Sequence, residues 1–224
     1  MHIAARPDGT GFFMVINTNP ETLNMQNDEK VIRWVAQPQQ SEIVFEARHL
    51  MVSHVKGEFG QFEASVVTNG NDFSTSSITI KIFSKSVNTD DSKRNALLKG
   101  PDFLSADEHR QILFTSTSIQ PTGSSRMVLH GDLKIGGVTR NVKFDMHMGL
   151  PAVDAWGDET ACLIITGKLT RENWGLRWTT AMEAAGFLIG DELVIVCKLE
   201  LYSVEQHDAK RTPDMVAETR TVAS

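Results

Sequence analysis

The sequence predicts an all-β chain: an antiparallel up-and-down barrel, or a closely related sandwich, of about eight strands. Three observations carry that prediction. Apolar residues recur at every second position between Val31 and Tyr202, turn residues cut these runs at short intervals, and one segment alone switches to a helical pattern.

The alternation is plain in several runs. Ile43, Phe45, Ala47 and His49 share one face, with Val44, Glu46 and Arg48 on the other. Ile78, Ile80 and Ile82 alternate with Thr79 and Lys81, and Met127, Leu129, Gly131, Leu133 and Ile135 alternate with Val128, His130, Asp132 and Lys134. Val142, Phe144, Met146 and Met148 repeat the pattern, and the runs Cys162 to Leu169 and Leu193 to Tyr202 are β-rich. Such a period marks strands with one dry and one wet face. Turn signals stand at Asn69-Gly70-Asn71-Asp72, Pro121-Thr122-Gly123-Ser124, Gly136-Gly137 and Gly190-Asp191. Closing the sheet would remove the edges that invite aggregation. The exception is a short helix at about 91–99. Thr89-Asp90-Asp91-Ser92 offers capping oxygens, Ala96, Leu97 and Leu98 are helix formers, and Gly100-Pro101 supplies a stop.

Composition excludes several function classes. With 224 residues and 41% hydrophobic content the chain is long and apolar enough to fold around a sizeable core. A net charge of −6 argues against a nucleic-acid binder, which needs clustered Lys and Arg. No apolar run approaches the ~20 residues of a membrane-spanning helix. The run Phe12 to Ile16 is too short for a secretory core, so the expected location is cytoplasmic. Cys162 and Cys197 are then expected to be free thiols, with pairing across neighbouring strands as the lesser alternative. From about Ser203 the pattern dissolves into a polar tail. The division is an N-terminal extension over 1–30, a barrel over 31–202 and a tail over 203–224.

Catalytic signatures are absent: no G-x-S-x-G, P-loop, G-x-G-x-x-G, H-E-x-x-H or C-x-x-C occurs, and no cofactor is implied. His130 and His147 lie on the polar faces of successive strands, where a metal would need Asp132 or Asp145 as a further ligand; solvated surface histidines are the simpler account. His49 continues an apolar face, which fits either a hydrogen-bonded core residue or a group that meets a ligand head. Asp90/Asp91 and Asp107/Glu108 read as capping or loop carboxylates. Trp174-Gly-Leu-Arg-Trp178 reads as barrel packing rather than base stacking.

The motifs say more than the composition. Ser41-Glu-Ile-Val-Phe45-Glu-Ala-Arg-His49-Leu50-Met-Val52-Ser53-His-Val55-Lys-Gly57-Glu-Phe59 resembles the opening signature of the YceI-like family of lipid-binding proteins. Ser86-Val-Asn-Thr89, Asp102-Phe103-Leu104, Ile112-Leu-Phe114-Thr-Ser116-Thr117, Gly131-Asp-Leu133-Lys-Ile135-Gly-Gly137-Val138-Thr139-Arg140-Asn-Val142 and Leu169-Thr-Arg171-Glu-Asn-Trp174-Gly175-Leu176 resemble its later motifs, in order. Two departures stand out: Asn95 and Leu97 replace the Asp and His of the family's R-D-x-H-L, and Asn141 replaces a usual proline.

The resemblance implies an eight-stranded antiparallel, lipocalin-like barrel that binds a polyisoprenoid or similar fatty amphiphile, often as a homodimer and without an established reaction. The expected lining is Phe45, His49, Phe59, Phe62, Ile80, Ile82, Phe114, Leu133, Ile135, Phe144, Ile165, Trp174 and Leu176. Many of these would pack on one another even around a ligand. Two other classes stand beside this one. The first is a lipid-acting hydrolase or isomerase using His49 with Ser53 or Ser116. The second is a solid-barrel stress or interaction protein.

Overall fold

The structure, a computed structural model, describes residues 31–49, 53–177 and 189–204. Strands β1 (Val31–Ala36) and β2 (Glu42–His49) form one path along the wall, broken where Pro38 opens a 3-10 turn, Pro38–Gln40. Proline has no N–H to give a ladder, so the break falls there. The return path is β3 (Ser53–Phe59) and β4 (Phe62–Asn69), broken at Gly60-Gln61. The chain then runs through β5 (Asp72–Phe83), a two-residue β6 (Val87–Asn88), helix α1 (Ser92–Lys99), β7 (Gln111–Pro121), β8 (Arg126–Ile135) and β9 (Val138–Met148). It finishes with a two-residue β10 (Ala152–Val153), β11 (Glu159–Thr170) and β12 (Ile189–Ser203).

All pairings are antiparallel. The order β11-β9-β8-β7-β5-β4-β1-β12 closes because β12 also pairs with β11, from Thr160↔Tyr202 to Thr170↔Glu192. With β2 continuing β1 and β3 continuing β4, this is a closed barrel of eight strands, not a sandwich. The expected helix is present, its N-cap Asp91 accepting from the Arg94 backbone N–H at 3.0 Å. That hydrogen bond is the main cause holding the Asp91 carboxyl below its usual range. The turns at Gly70, Gly136 and Gly137 use positive φ of 56°, 54° and 81°. Gly190-Asp191 is not a turn. It lies inside β12, where pairing with β2 slips between Ile189↔His49 and Leu193↔Ala47, a bulge that bends the strand. β12 also runs through Ser203, one residue past the expected boundary; 1–30 and 205–224 lie outside the described residues.

The inward faces divide the barrel into two halves. One is solid: Trp34, Val66, Ile78, Leu129, Leu163, Leu199 and Leu201 are completely buried. Trp34 anchors it, its ring 5.5 Å from that of Phe73 and its Nε1–H donating to Thr68 Oγ1 at 3.0 Å. Met127, Met146 and Met148 fill the remaining space with flexible side chains.

Both cysteines are free. Cys162 registers with Glu200, and Cys197 with Ile165, so the two are out of register on adjacent strands. Cys197 is buried among the inward residues, whereas Cys162 belongs to the outward set of β11. Opposite faces of a wall cannot be bridged. Burial pushes the Cys197 thiol up to about 12, and burial together with the Glu200 charge raises that of Cys162, so both stay protonated at neutral pH.

Candidate functional site

The second half of the barrel is hollow. Its cavity has about 1170 Å³ of empty space, solvent at its open end included. Leu193, Ile195 and Cys197 of β12 line it, and Leu199 and Leu201 do not, which places its floor at the edge of the solid half. Those lining positions span about 13 Å at the strand rise.

Two features hollow this half. The first is a set of inward glycines. A Cβ on Gly57 would fall 2.3 Å from the Phe45 ring, one on Gly131 2.4 Å from the Phe114 ring, and one on Gly167 2.3 Å from the Phe144 ring. Each glycine therefore lets an aromatic ring lie against the wall rather than project across the lumen. The second is a change of neighbours. β4 pairs with β5, but its continuation β3 pairs with β6 instead, at Glu58↔Asn88 and Phe59↔Val87. The wall opens between β3 and β5, and the stretch from β6 through α1 to Leu104 closes it with Val87, Thr89, Arg94, Leu98, Phe103 and Leu104.

This covering segment is cross-braced. Thr89 donates both its backbone N–H and its hydroxyl to Asn95 Oδ1 at 2.8 Å, and Asn95 Nδ2 donates to Asn88 Oδ1 at 3.0 Å. Ser84 Oγ donates to the His109 carbonyl at 2.7 Å. Asn95, which replaces the family's aspartate, thus performs the acceptor role that an aspartate would fill. Asn95→Ala is expected to cost about 1–3 kcal/mol, because it leaves two part-buried Thr89 donors unsatisfied. Asn95→Asp, which keeps the acceptor, is expected to cost less; thermal unfolding of the two variants checks the order.

Of the expected lining residues, Phe45, Phe59, Ile80, Ile82, Phe114, Leu133, Ile135, Phe144, Ile165 and Leu176 come together around the cavity. Two others are buried away from it. Phe62, the register partner of Ile82, packs into the core. Trp174 turns outward of the cavity, its Nε1–H donating to the Leu133 carbonyl at 3.0 Å. The His49 and Ser53 side chains lie outside the described residues. Ser116 is committed to structure, its hydroxyl accepting the Ile78 N–H at 2.8 Å beside a bulge in β7. His130 registers with Lys143 and His147 with Arg126, four positions apart on β8, so the two imidazoles do not converge. No metal-binding cluster occurs among the described residues.

Residues that the sequence reading missed fall into two groups. Ile43, Ala47, Leu193, Ile195 and Cys197 follow the period-two pattern and were legible from it. Val87, Leu98, Phe103 and Leu104 sit in a segment without strand periodicity, and nothing local marks them as lining.

The cavity wall is apolar throughout. Thr89, Arg94 and Arg171 also border it. Arg94 pairs with Asp91 at 3.7 Å, and Arg171 donates to the Leu176 carbonyl at 2.7 Å and pairs with Asp191. Arg171 thereby ties the turn after β11 to the start of β12. Among the described residues, such a wall offers dispersion and burial to an apolar ligand.

Comparison with known proteins agrees with this architecture. The chain is 37% identical over 154 residues to the UPF0312 protein SAS2572 of Staphylococcus aureus, covering 68% of this chain and 87% of that one. Among solved structures it is similar to Burkholderia cenocepacia BcnA, with TM-score 0.65, 19% identity and coverage of 74% and 98%. It is also similar to a polyisoprenoid binding domain from Saccharophagus degradans implicated in plant cell wall breakdown, with TM-score 0.60, 12% identity and coverage of 76% and 98%. The YceI-like domain matches residues 34–201, and the chain belongs to the YceI-like family.

Proposed function

We propose that the protein binds a long apolar chain, a polyisoprenoid or similar fatty amphiphile, in the hollow half of the barrel, and that its role is carriage rather than catalysis. The observation that carries this reading is the apolar cavity bounded by Phe45, Phe114, Phe144, Ile165 and Ile195. An apolar chain needs no specific polar contact there. Each methylene buried contributes roughly 0.8 kcal/mol, so ten contribute roughly 8 kcal/mol, the size of a micromolar affinity before ordering costs. The likeness to the Saccharophagus domain supports the polyisoprenoid class in particular.

The test is organic extraction of the protein purified from its native host, followed by mass spectrometry, with uptake of a fluorescent prenyl probe by the delipidated protein. A prenyl or fatty chain at about one per barrel is expected. An empty extract together with no probe uptake would sink the reading.

A further inference from the structure

The backbone pairing of the wall breaks on one side of the barrel. β9 and β11 pair only from Leu163↔Met148 to Thr166↔Asp145, although β9 extends back to Val138 and β11 onward to Thr170. The strands splay because the 3-10 turn Arg171–Trp174 folds between them. Trp174 reaches across to the Leu133 carbonyl, and Arg140 Nε donates to the Asn173 carbonyl at 3.0 Å. The resulting cleft is lined by Arg140, Lys143, Lys168, Asn173, Trp174 and Leu169. Leu169 also lines the main cavity, so the two spaces adjoin at its side chain.

The charges distinguish this cleft from the rim of the cavity. At the rim, Arg94 and Arg171 each face a carboxylate, Asp91 and Asp191. In the cleft, Lys168 is matched by Glu192 at 2.9 Å, and Asn141 turns its amide to Asp132 at 3.3 Å. Lys143 has no ion-pair partner among the described residues, and Arg140 gives its one described hydrogen bond to a neutral carbonyl. An anionic head cannot enter the carbon-walled cavity without a heavy desolvation cost, whereas a cleft open to water and lined by cations imposes a much smaller one.

We propose that this lateral cleft holds the anionic head, of phosphate monoester chemistry, of the amphiphile whose chain lies in the cavity, the chain crossing the wall beside Leu169. The inference rests on the chain-binding reading above and narrows its ligand to anionic amphiphiles.

Calorimetric titration of the full chain with farnesyl monophosphate, farnesol and inorganic phosphate separates the possibilities. Farnesyl monophosphate is expected to bind about ten times more tightly than farnesol, with the ratio shrinking as salt screens the cleft. In Arg140→Gln/Lys143→Gln the ratio should fall to near one. Lys143→Glu, on an exposed side chain that bears no part of the fold, should lower it as well. Inorganic phosphate should compete with farnesyl monophosphate and not with farnesol. Phosphate binding that fails to compete would assign the cleft to the free ion and overturn the proposal. Equal affinities for farnesol and its phosphate in the wild type would overturn it too, leaving chain binding intact. No binding of farnesol at all would overturn the chain-binding reading itself.

Discussion

Trp34→Ala is expected to destabilise the barrel by about 3–5 kcal/mol, the usual cost of truncating a large aromatic in a packed core. For a domain of this size that corresponds to a fall in Tm of roughly 12 °C. The reason lies in the solid half. Trp34 is fully buried, stacks at a tilt on Phe73 and donates to Thr68, so its removal leaves a void among residues that cannot collapse inward. Trp34→Phe, which keeps most of the ring volume, should lose much less. Because Trp34 does not border the cavity, binding of a prenyl probe below the new Tm should be unchanged. Calorimetric unfolding and a binding isotherm on the same sample check both halves of the claim. A large loss of probe affinity in a folded Trp34→Ala protein would show that the two halves are not independent.

Ile195→Trp is expected to have the opposite signature: near-native stability and binding weakened about 200-fold. Ile195 lines the cavity at mid-depth, registering with Phe45 on one side and Gly167 on the other, so a larger ring can extend into empty space. If the indole excludes about four methylenes of ligand, the loss is about 3 kcal/mol, which gives that factor. Leu199→Trp supplies the contrast. Leu199 stands on the same face of the same strand, four residues on, but is fully buried in the solid half, and overpacking there should cost about 1–3 kcal/mol. Probe titration and thermal unfolding of this pair would locate the cavity floor. An Ile195→Trp protein that binds the probe like the wild type would remove the ligand from this cavity.

The outcome of particular elements shows what a linear sequence can reveal. Period-two alternation placed Ile80, Ile82, Leu133, Ile135, Phe144 and Ile165 on inward faces, and all of them reach the cavity. The same rule also selected Phe62, which is inward yet packed in the core. Alternation gives the side of the wall a residue faces and says nothing of its height along the barrel. Gly190-Asp191 has turn chemistry, yet it serves as a bulge, because the long strand β12 must bend to pair with β2, β11 and β1 in succession. Trp174 has the composition of a core aromatic, and its place between β9 and β11 depends on a splay of strands that no local signal encodes.

The antiparallel barrel class, its inward faces, the capped helix at Ser92–Lys99 and the family were determined by sequence alone, because each rests on local periodicity or on motif order. Whether the barrel is solid or hollow was decided only by tertiary structure. Both halves alternate in the same way, so the difference arises from what meets across the lumen. Trp34, Phe73 and the methionines fill one half, while in the other Gly57, Gly131 and Gly167 hold rings against the wall and β3 leaves β5 to make room for the β6–α1 cover. A cavity is the volume left after distant segments have packed, and that remainder is not a property of any one segment.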